Sequence, residues 1–195
     1  MLHTLMSHFF NTLKAQFHLS DAAIEQLMEI TQEFHYKKND FIVRDGDKNN
    51  TTNFVVEGSV KSYVVLDGKI VITGLFKKGE MLGTLPGTND CAVHTNSFVA
   101  LETTSICCVN RRALEQLFES SIEFAILGRK MVEKAFEKYE AYFQNYFLFE
   151  KDLQYLEFTK EYAYFLNVIS QKDIANYLNM TPQSLSRIRA NLHKS

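Results

Sequence analysis

Between Phe34 and Val109 the chain breaks into seven short runs of β-branched and aromatic residues: "FHY", "FIV", "NFVV", "SVKSYVVL", "KIVITGLF", "SFVAL" and "SICCV". They are parted by turn-forming groups at Asn39-Asp40, Asp45-Gly46-Asp47, Glu57-Gly58, Asp67-Gly68, Lys78-Gly79 and Pro86-Gly87. Runs of this length are too short for ordinary helices, and turns at intervals of roughly ten residues predict an antiparallel all-β sandwich, jelly roll or barrel. Asp67-Gly68, between "SYVVL" and "KIVI", is the clearest hairpin signal, because a two-residue loop needs two left-handed residues and Asp-Gly supplies them at low cost.

Helical patterns flank this unit. Leu5, Phe9 and Leu13 share one spacing, and after the Ser20-Asp21 cap signal so do Ile24, Leu27 and Met28. From Arg111 helix formers dominate and no proline occurs before Pro182. Phe124, Gly128, Met131, Ala135, Tyr139, Tyr142 and Tyr146 advance by threes and fours, with Leu127, Val132, Phe136 and Phe143 widening the stripe and charges between them. Such a seam predicts one long helix over 111–149 that pairs with its copy in a homodimer. The tyrosines are broad for a tight two-stranded seam, which leaves part of this surface free to meet the β unit. Residues 150–168 predict a further amphipathic helix through Leu153, Leu156, Tyr162 or Ala163, and Leu166.

The last stretch, "SQKDIANYLNMTPQSLSRIRANLHKS", carries Lys172, Arg187, Arg189 and Lys194 against Asp173 alone, although the net charge of the chain is −2. A basic end on an acidic body suits contact with a phosphate backbone through that end only. Ser170 with Asp173 reads as a helix cap, and Ile174, Ala175 and Leu178 as the buried side of a two-turn helix. Asn179 tolerates the positive φ that a tight interhelical turn demands. Thr181 then caps a second helix with Pro182 at its first position. On that helix Leu185, Ile188 and Leu192 point to the core, and Gln183, Arg187, Ala190 and Lys194 point away, flanked by Ser184. This is a helix-turn-helix with a readable outer face. Gln183 suits adenine and Arg187 guanine, whereas Lys172, Arg189 and Lys194 suit phosphates, with Thr181 and Ser184 at the same end.

Composition excludes several classes. No stretch approaches 18 consecutive apolar residues, and the N-terminus has no basic region or small-residue cleavage site, so no membrane partner is expected and the chain reads as cytoplasmic. The three cysteines, Cys91, Cys107 and Cys108, form no CxxC unit, which argues against a disulfide framework or a zinc site. A cupin-like metal enzyme would need an HxH pair with further ligands, and His35 and His94 are solitary. No cofactor is evident and no enzymatic activity is expected.

Two segments, "KKNDFIVRDGDKNNTTNFVVEGSVKSYVVLDGKIVITGLFKKGEMLG" and the helix-turn-helix stretch just quoted, resemble the Crp/Fnr family of transcription regulators. The resemblance implies an α+β chain. Residues 1–110 would be a cyclic-nucleotide-binding-like antiparallel β-roll of the double-stranded β-helix or jelly-roll type, with N-terminal helices. A dimerisation helix over 111–149 would follow, then a helix-turn-helix domain over 150–195 with a reduced or absent wing. It also implies a homodimer on double-stranded DNA, RNA polymerase as a partner, and a small-molecule effector near Gly79, Glu80, Leu82, Gly83, Thr84, His94 and Thr95. The family's phosphate cassette runs Gly-Glu-x-x-Gly-Glu and then Arg-Ser/Thr-Ala. Here Thr84 replaces the second Glu, and "LPGTNDCAVHTNS" has no arginine to neutralise a cyclic phosphate. Cyclic AMP is therefore disfavoured and the effector unknown. A ligand-free regulator, or one controlled by a protein partner, is the alternative.

Overall fold

The computed structural model describes residues 2–48, 50–83 and 93–192, with side chains from Leu5 onward. The chain divides into two compact units, residues 1–62 with 75–135 and residues 63–74 with 136–195.

The first unit starts with helices α1 (Leu2–Phe17) and α2 (Asp21–Glu29). The Ser20 hydroxyl accepts from Ala23 N–H at 3.2 Å and caps α2 as its spacing predicts. All seven predicted runs are strands: β1 (Thr31–Tyr36), β2 (Phe41–Val43), β3 (Thr51–Glu57), β4 (Ser59–Leu66), β5 (Lys69–Lys77), β7 (Ser97–Ala100) and β8 (Thr104–Asn110). A two-residue strand, β6 (Met81–Leu82), is added between β5 and β7. They form two four-stranded sheets of order β1-β8-β3-β6 and β2-β7-β4-β5, the α+β roll anticipated. Asp67 and Gly68 both have positive φ, 51° and 73°, as their hairpin requires.

Alternation along β3 and β8 divides the core in two. Phe54, Val56, Cys107 and Val109 face α1 and α2, whereas Val55 and Ile106 face Val43, Val60, Leu82 and Phe98 inside the roll. Adjacent Cys107 and Cys108 thus lie in different cores, and burial pushes the Cys108 thiol up to about 12, so neither is a ready thiolate.

The single helix expected over 111–149 is two. Asn110 caps α3 (Arg111–Ser120), the backbone turns extended at Ser121, and α4 (Ile122–Leu148) restarts with the Ser121 hydroxyl accepting from Phe124 N–H at 3.3 Å. Consecutive serines compete for backbone hydrogen bonds and favour a cap over a helix interior, which accounts for the break. The N-terminal part of the side of α4 expected to form the seam is buried within the chain. Phe124, Leu127 and Gly128 join the core beneath α1 and α2, Met131 packs against it, and the ring of Phe118 lies where a Gly128 Cβ would meet it at 3.4 Å.

The second unit contains the β4–β5 hairpin tip, the end of α4, α5 (Lys151–Glu161), a 3₁₀ turn (Ala163–Asn167), α6 (Gln171–Tyr177) and α7 (Pro182–Leu192). Its core is aromatic: Tyr142, Phe158, Tyr162 and Tyr177 pack with ring centroids 5.3–5.9 Å apart. Tyr142, expected in the dimer seam, packs here against Tyr177. The α5 stripe also differs from its sequence reading. Gln154, Tyr155, Phe158 and Phe165 are buried, and Leu153 and Leu166 are exposed. A buried glutamine breaks the apolar pattern because its amide meets the open backbone carbonyls of Tyr146, in the last turn of α4, and Phe149, just past it. No described helix is long and apolar enough to cross a membrane.

Candidate nucleic-acid interface and effector site

The helix-turn-helix forms through the signals that mark it. The Ser170 hydroxyl accepts from Asp173 N–H at 3.1 Å, and Ile174, Ala175, Tyr177 and Leu178 are buried. Asn179 takes φ +49° between the helices. The Thr181 hydroxyl accepts from Ser184 N–H at 3.1 Å and also bonds the Ser184 hydroxyl at 2.9 Å. Thr181 and Ser184 therefore secure the start of α7. Leu185 is fully buried, Ile188 half-buried, and Gln183, Arg187 and Ala190 are exposed on the other side. Lys172 is exposed and Arg189 half-buried. Lys194 lies outside the described residues. Leu192, expected in the core, is instead 41 % exposed at the end of α7.

One contact here has no sequence signal. The Asn176 amide on α6 meets the free edge of β5 at the hairpin tip, donating to Ile70 O at 2.8 Å and accepting from Ile72 N–H at 2.7 Å. A side-chain amide thus supplies the donor and acceptor that a neighbouring strand would supply.

In the first unit the expected effector residues hold structural positions. Gly79 turns at φ +84° and donates to Val55 O, and the Glu80 carboxylate accepts from Lys77 N–H at 2.8 Å, closing its own turn. Leu82 is buried in the roll, and Gly83 has φ +84° beside the Phe98 ring. His94 is buried edge-on to that ring at 6.2 Å, and its backbone bonds Gly46 and Asp47. Thr95 is exposed, and Thr84 lies outside the described residues. Phe98 therefore brings Gly83 and His94 together, while Glu80 serves its own loop.

Burial holds the His94 pKa below its ordinary 6.5, with the Arg111 charge acting the same way and Asp47 opposing. A buried neutral imidazole makes the unfolded chain bind more protons than the folded one as pH falls through 6.5. Its contribution is present above that pH and lost below it. Urea midpoints of the wild type should fall on acidification from pH 7.5 to 5.5, and His94→Gln should flatten the fall. Parallel profiles would show that His94 is not responsible.

Residues 33–121 match the family model described as the cyclic nucleotide-binding domain. No curated protein matches the sequence. Three solved structures share the architecture. FixK2 from Bradyrhizobium japonicum is 22 % identical with a TM-score of 0.69, each chain 85 % covered. A transcriptional regulator assigned to the Crp/Fnr family from Eubacterium rectale is 15 % identical with a TM-score of 0.69, covering 90 % of this chain and 84 % of that one. The c-di-GMP-responsive regulator CLP of Xanthomonas campestris is 15 % identical with a TM-score of 0.64, covering 90 % and 92 %. The class is thus a cyclic nucleotide-binding-like β-roll joined through a long helix to a helix-turn-helix. Residues 33–121 thus match the cyclic nucleotide-binding domain, and the fold of the chain is similar to that of these regulators.

Proposed function

We propose that the protein is a sequence-specific DNA-binding transcription regulator that acts as a homodimer, with an effector site not adapted to cyclic AMP. The observation that carries this reading is the capped α7, with Leu185 buried and Gln183 and Arg187 exposed one turn apart. An amide and a guanidinium at the first turns of a helix that enters the major groove can each make a bidentate base contact. Lys172 and Arg189 would hold register on phosphates.

The seam we assign to the homodimer follows the Val132, Phe136 and Phe143 edge of the stripe the sequence suggests. Along α4, Val132, Phe136, Tyr139, Phe143 and Phe147 are exposed at steps of three and four, and Ile122, Ala125 and Arg129 extend the same heptad toward the N-terminal end. Among the residues first expected there, Ala135 and Tyr139 remain exposed. Phe136, Tyr139 and Phe147, each more than 60 % exposed, need a partner surface to leave water. In the roll, a Glu80 carboxylate closing its own turn and a neutral His94 leave a cyclic phosphate and its ribose poorly served. Calorimetry with micromolar cyclic AMP is expected to show no heat of binding. CLP, a regulator of similar fold, is c-di-GMP-responsive.

Selection of a binding sequence from random duplexes, followed by titration, tests the reading. Arg187→Ala and Gln183→Ala should each weaken the selected site by about 10- to 100-fold, corresponding to ~1–3 kcal/mol for a bidentate base contact, and relax preference at one base pair. Lys172→Ala should weaken all sequences alike and reduce the salt slope by about one. If neither α7 substitution changes affinity or preference, base reading by this helix is wrong.

A further inference from the structure

The turn between α6 and α7 is held from outside the helix-turn-helix. Asn179 must take φ +49°, which glycine would do with less strain, yet the chain has a side chain there. Its Nδ2 donates to the Tyr146 hydroxyl in the last turns of α4 at 2.6 Å. The preceding carbonyl, Leu178 O, is one of those an ending helix leaves open, and it accepts from Lys151 Nζ at 3.1 Å. The same ammonium donates to Gln154 Oε1 at 3.0 Å and lies 5.4 Å from the centre of the Tyr146 ring. Gln154, 2 % exposed, uses its Nε2 to donate to Tyr146 O and Phe149 O, both at 2.9 Å. The end of α4, the start of α5 and the turn into α7 thus share one connected set of hydrogen bonds.

We propose that Tyr146, Lys151, Gln154 and Asn179 form a polar brace that sets the entry of α7, so that the reading helix follows the end of α4. This rests on the DNA-reading proposal for its functional consequence. The lever is short. Asn179 lies four residues before Gln183 and eight before Arg187, so a change of backbone angle at the turn redirects both. Hydrogen bonds of 2.6–3.1 Å fail on displacement by about an ångström, so a shift at the end of α4 must either carry the turn with it or release it. A turn needing only a left-handed residue would be served by glycine. An asparagine whose amide reaches α4 performs a second task. Gln154 and Lys151 keep the Tyr146 segment and the Leu178 carbonyl in place, and are positioning residues in the same sense.

Two conservative variants test this. Tyr146→Phe keeps the ring and removes the hydroxyl, and Asn179→Gly keeps the permissive backbone and removes the amide. Each should speed amide hydrogen exchange at Met180 and Leu185 by about tenfold while leaving α1 to α3 unchanged. Each should weaken the selected duplex by about three- to tenfold, and the double variant by no more than the larger single effect, because both remove one bond. Thermal midpoints should fall by no more than about 2–4 °C, the loss of one hydrogen bond, which is less than general loss of packing would give. Unchanged exchange in both variants, additive losses in the double, or faster exchange with unaltered duplex affinity would each overturn the proposal. If the wild type selects no duplex, the DNA reading fails, and the exchange comparison still decides whether the brace holds the turn.

Discussion

Phe136→Glu is expected to give a monomer and to lower affinity for a two-half-site duplex by about 10²- to 10⁴-fold, the range lost when two linked binding events become independent. Phe136 is 64 % exposed on α4, between Val132 and Tyr139 on the same heptad, so the substitution removes no contact within the folded chain's cores. In a dimer the residue would face its copy, and two carboxylates would be buried together without a cation. Two like charges buried together each cost several kcal/mol and repel one another, which removes much of what a seam of about five apolar positions supplies. Sedimentation should show half the wild-type mass with an unchanged circular dichroism spectrum, and titration should show weak, non-cooperative binding to single half-sites. A Phe136→Glu protein that sediments as a dimer with full affinity would place the seam elsewhere.

The same helix shows why periodicity resolves some features and not others. Apolar residues occupy more than one side of α4, and a step of three or four identifies a stripe without saying which neighbour covers it. Phe124, Leu127 and Gly128 form one stripe, closed by α1, α2 and Phe118, and Val132, Phe136 and Phe143 form another. The cores that choose between them are built from residues more than 100 positions away, such as Phe9 and Phe10. Features fixed by local backbone chemistry were legible. The seven strand runs, the two left-handed residues at Asp67-Gly68, the caps at Ser20, Ser170 and Thr181, and the left-handed Asn179 all follow from neighbours within about four residues.

Polar residues that satisfy backbone groups of other elements were not legible. Gln154 reads as a solvated position in an amphipathic helix, yet it is buried because the carbonyls of Tyr146 in α4 and of Phe149 just past it need a donor. Asn176 reads as a surface residue of α6, yet both ends of its amide are engaged by β5 more than 100 positions away. Hydropathy assigns such side chains to water, and hydrogen-bond satisfaction returns them to the interior. At the effector end, the loss of the cassette arginine is visible in the sequence, but the placement of the Glu80 carboxylate on its own turn is not.

Gly58→Ala is expected to destabilise the first unit by about 2–5 kcal/mol, combining ~1–2 kcal/mol for a left-handed non-glycine residue with ~1–3 kcal/mol for overpacking. Gly58 joins β3 to β4 at φ +84°, and a Cβ there would lie 2.5 Å from Thr103 O, 2.6 Å from Thr104 Oγ1 and 2.9 Å from Thr104 Cα. Two of these are backbone atoms and cannot swing aside. The third belongs to a fixed corner. The Thr104 hydroxyl donates to Glu102 O at 2.9 Å and Ser59 O at 3.2 Å, Leu101 N–H donates to Ser59 O at 2.9 Å, and Ser59 Oγ donates to Glu102 at 2.6 Å. Relief of the clash must open this corner and strand buried polar groups, since Ser59 and Thr104 are both essentially inaccessible. Gly46 supplies the control, because at φ +87° it has open space where its Cβ would stand, so Gly46→Ala carries the backbone cost alone. Urea denaturation of the two variants should separate them by about 1–3 kcal/mol, the overpacking contribution. Equal losses would mean that the left-handed backbone, rather than the approach of Thr103 and Thr104, explains why this corner is glycine. Against a total stability of about 5–15 kcal/mol, the larger loss would populate unfolded roll at ambient temperature, and with it expose the face that buries Phe124 and Leu127 of α4.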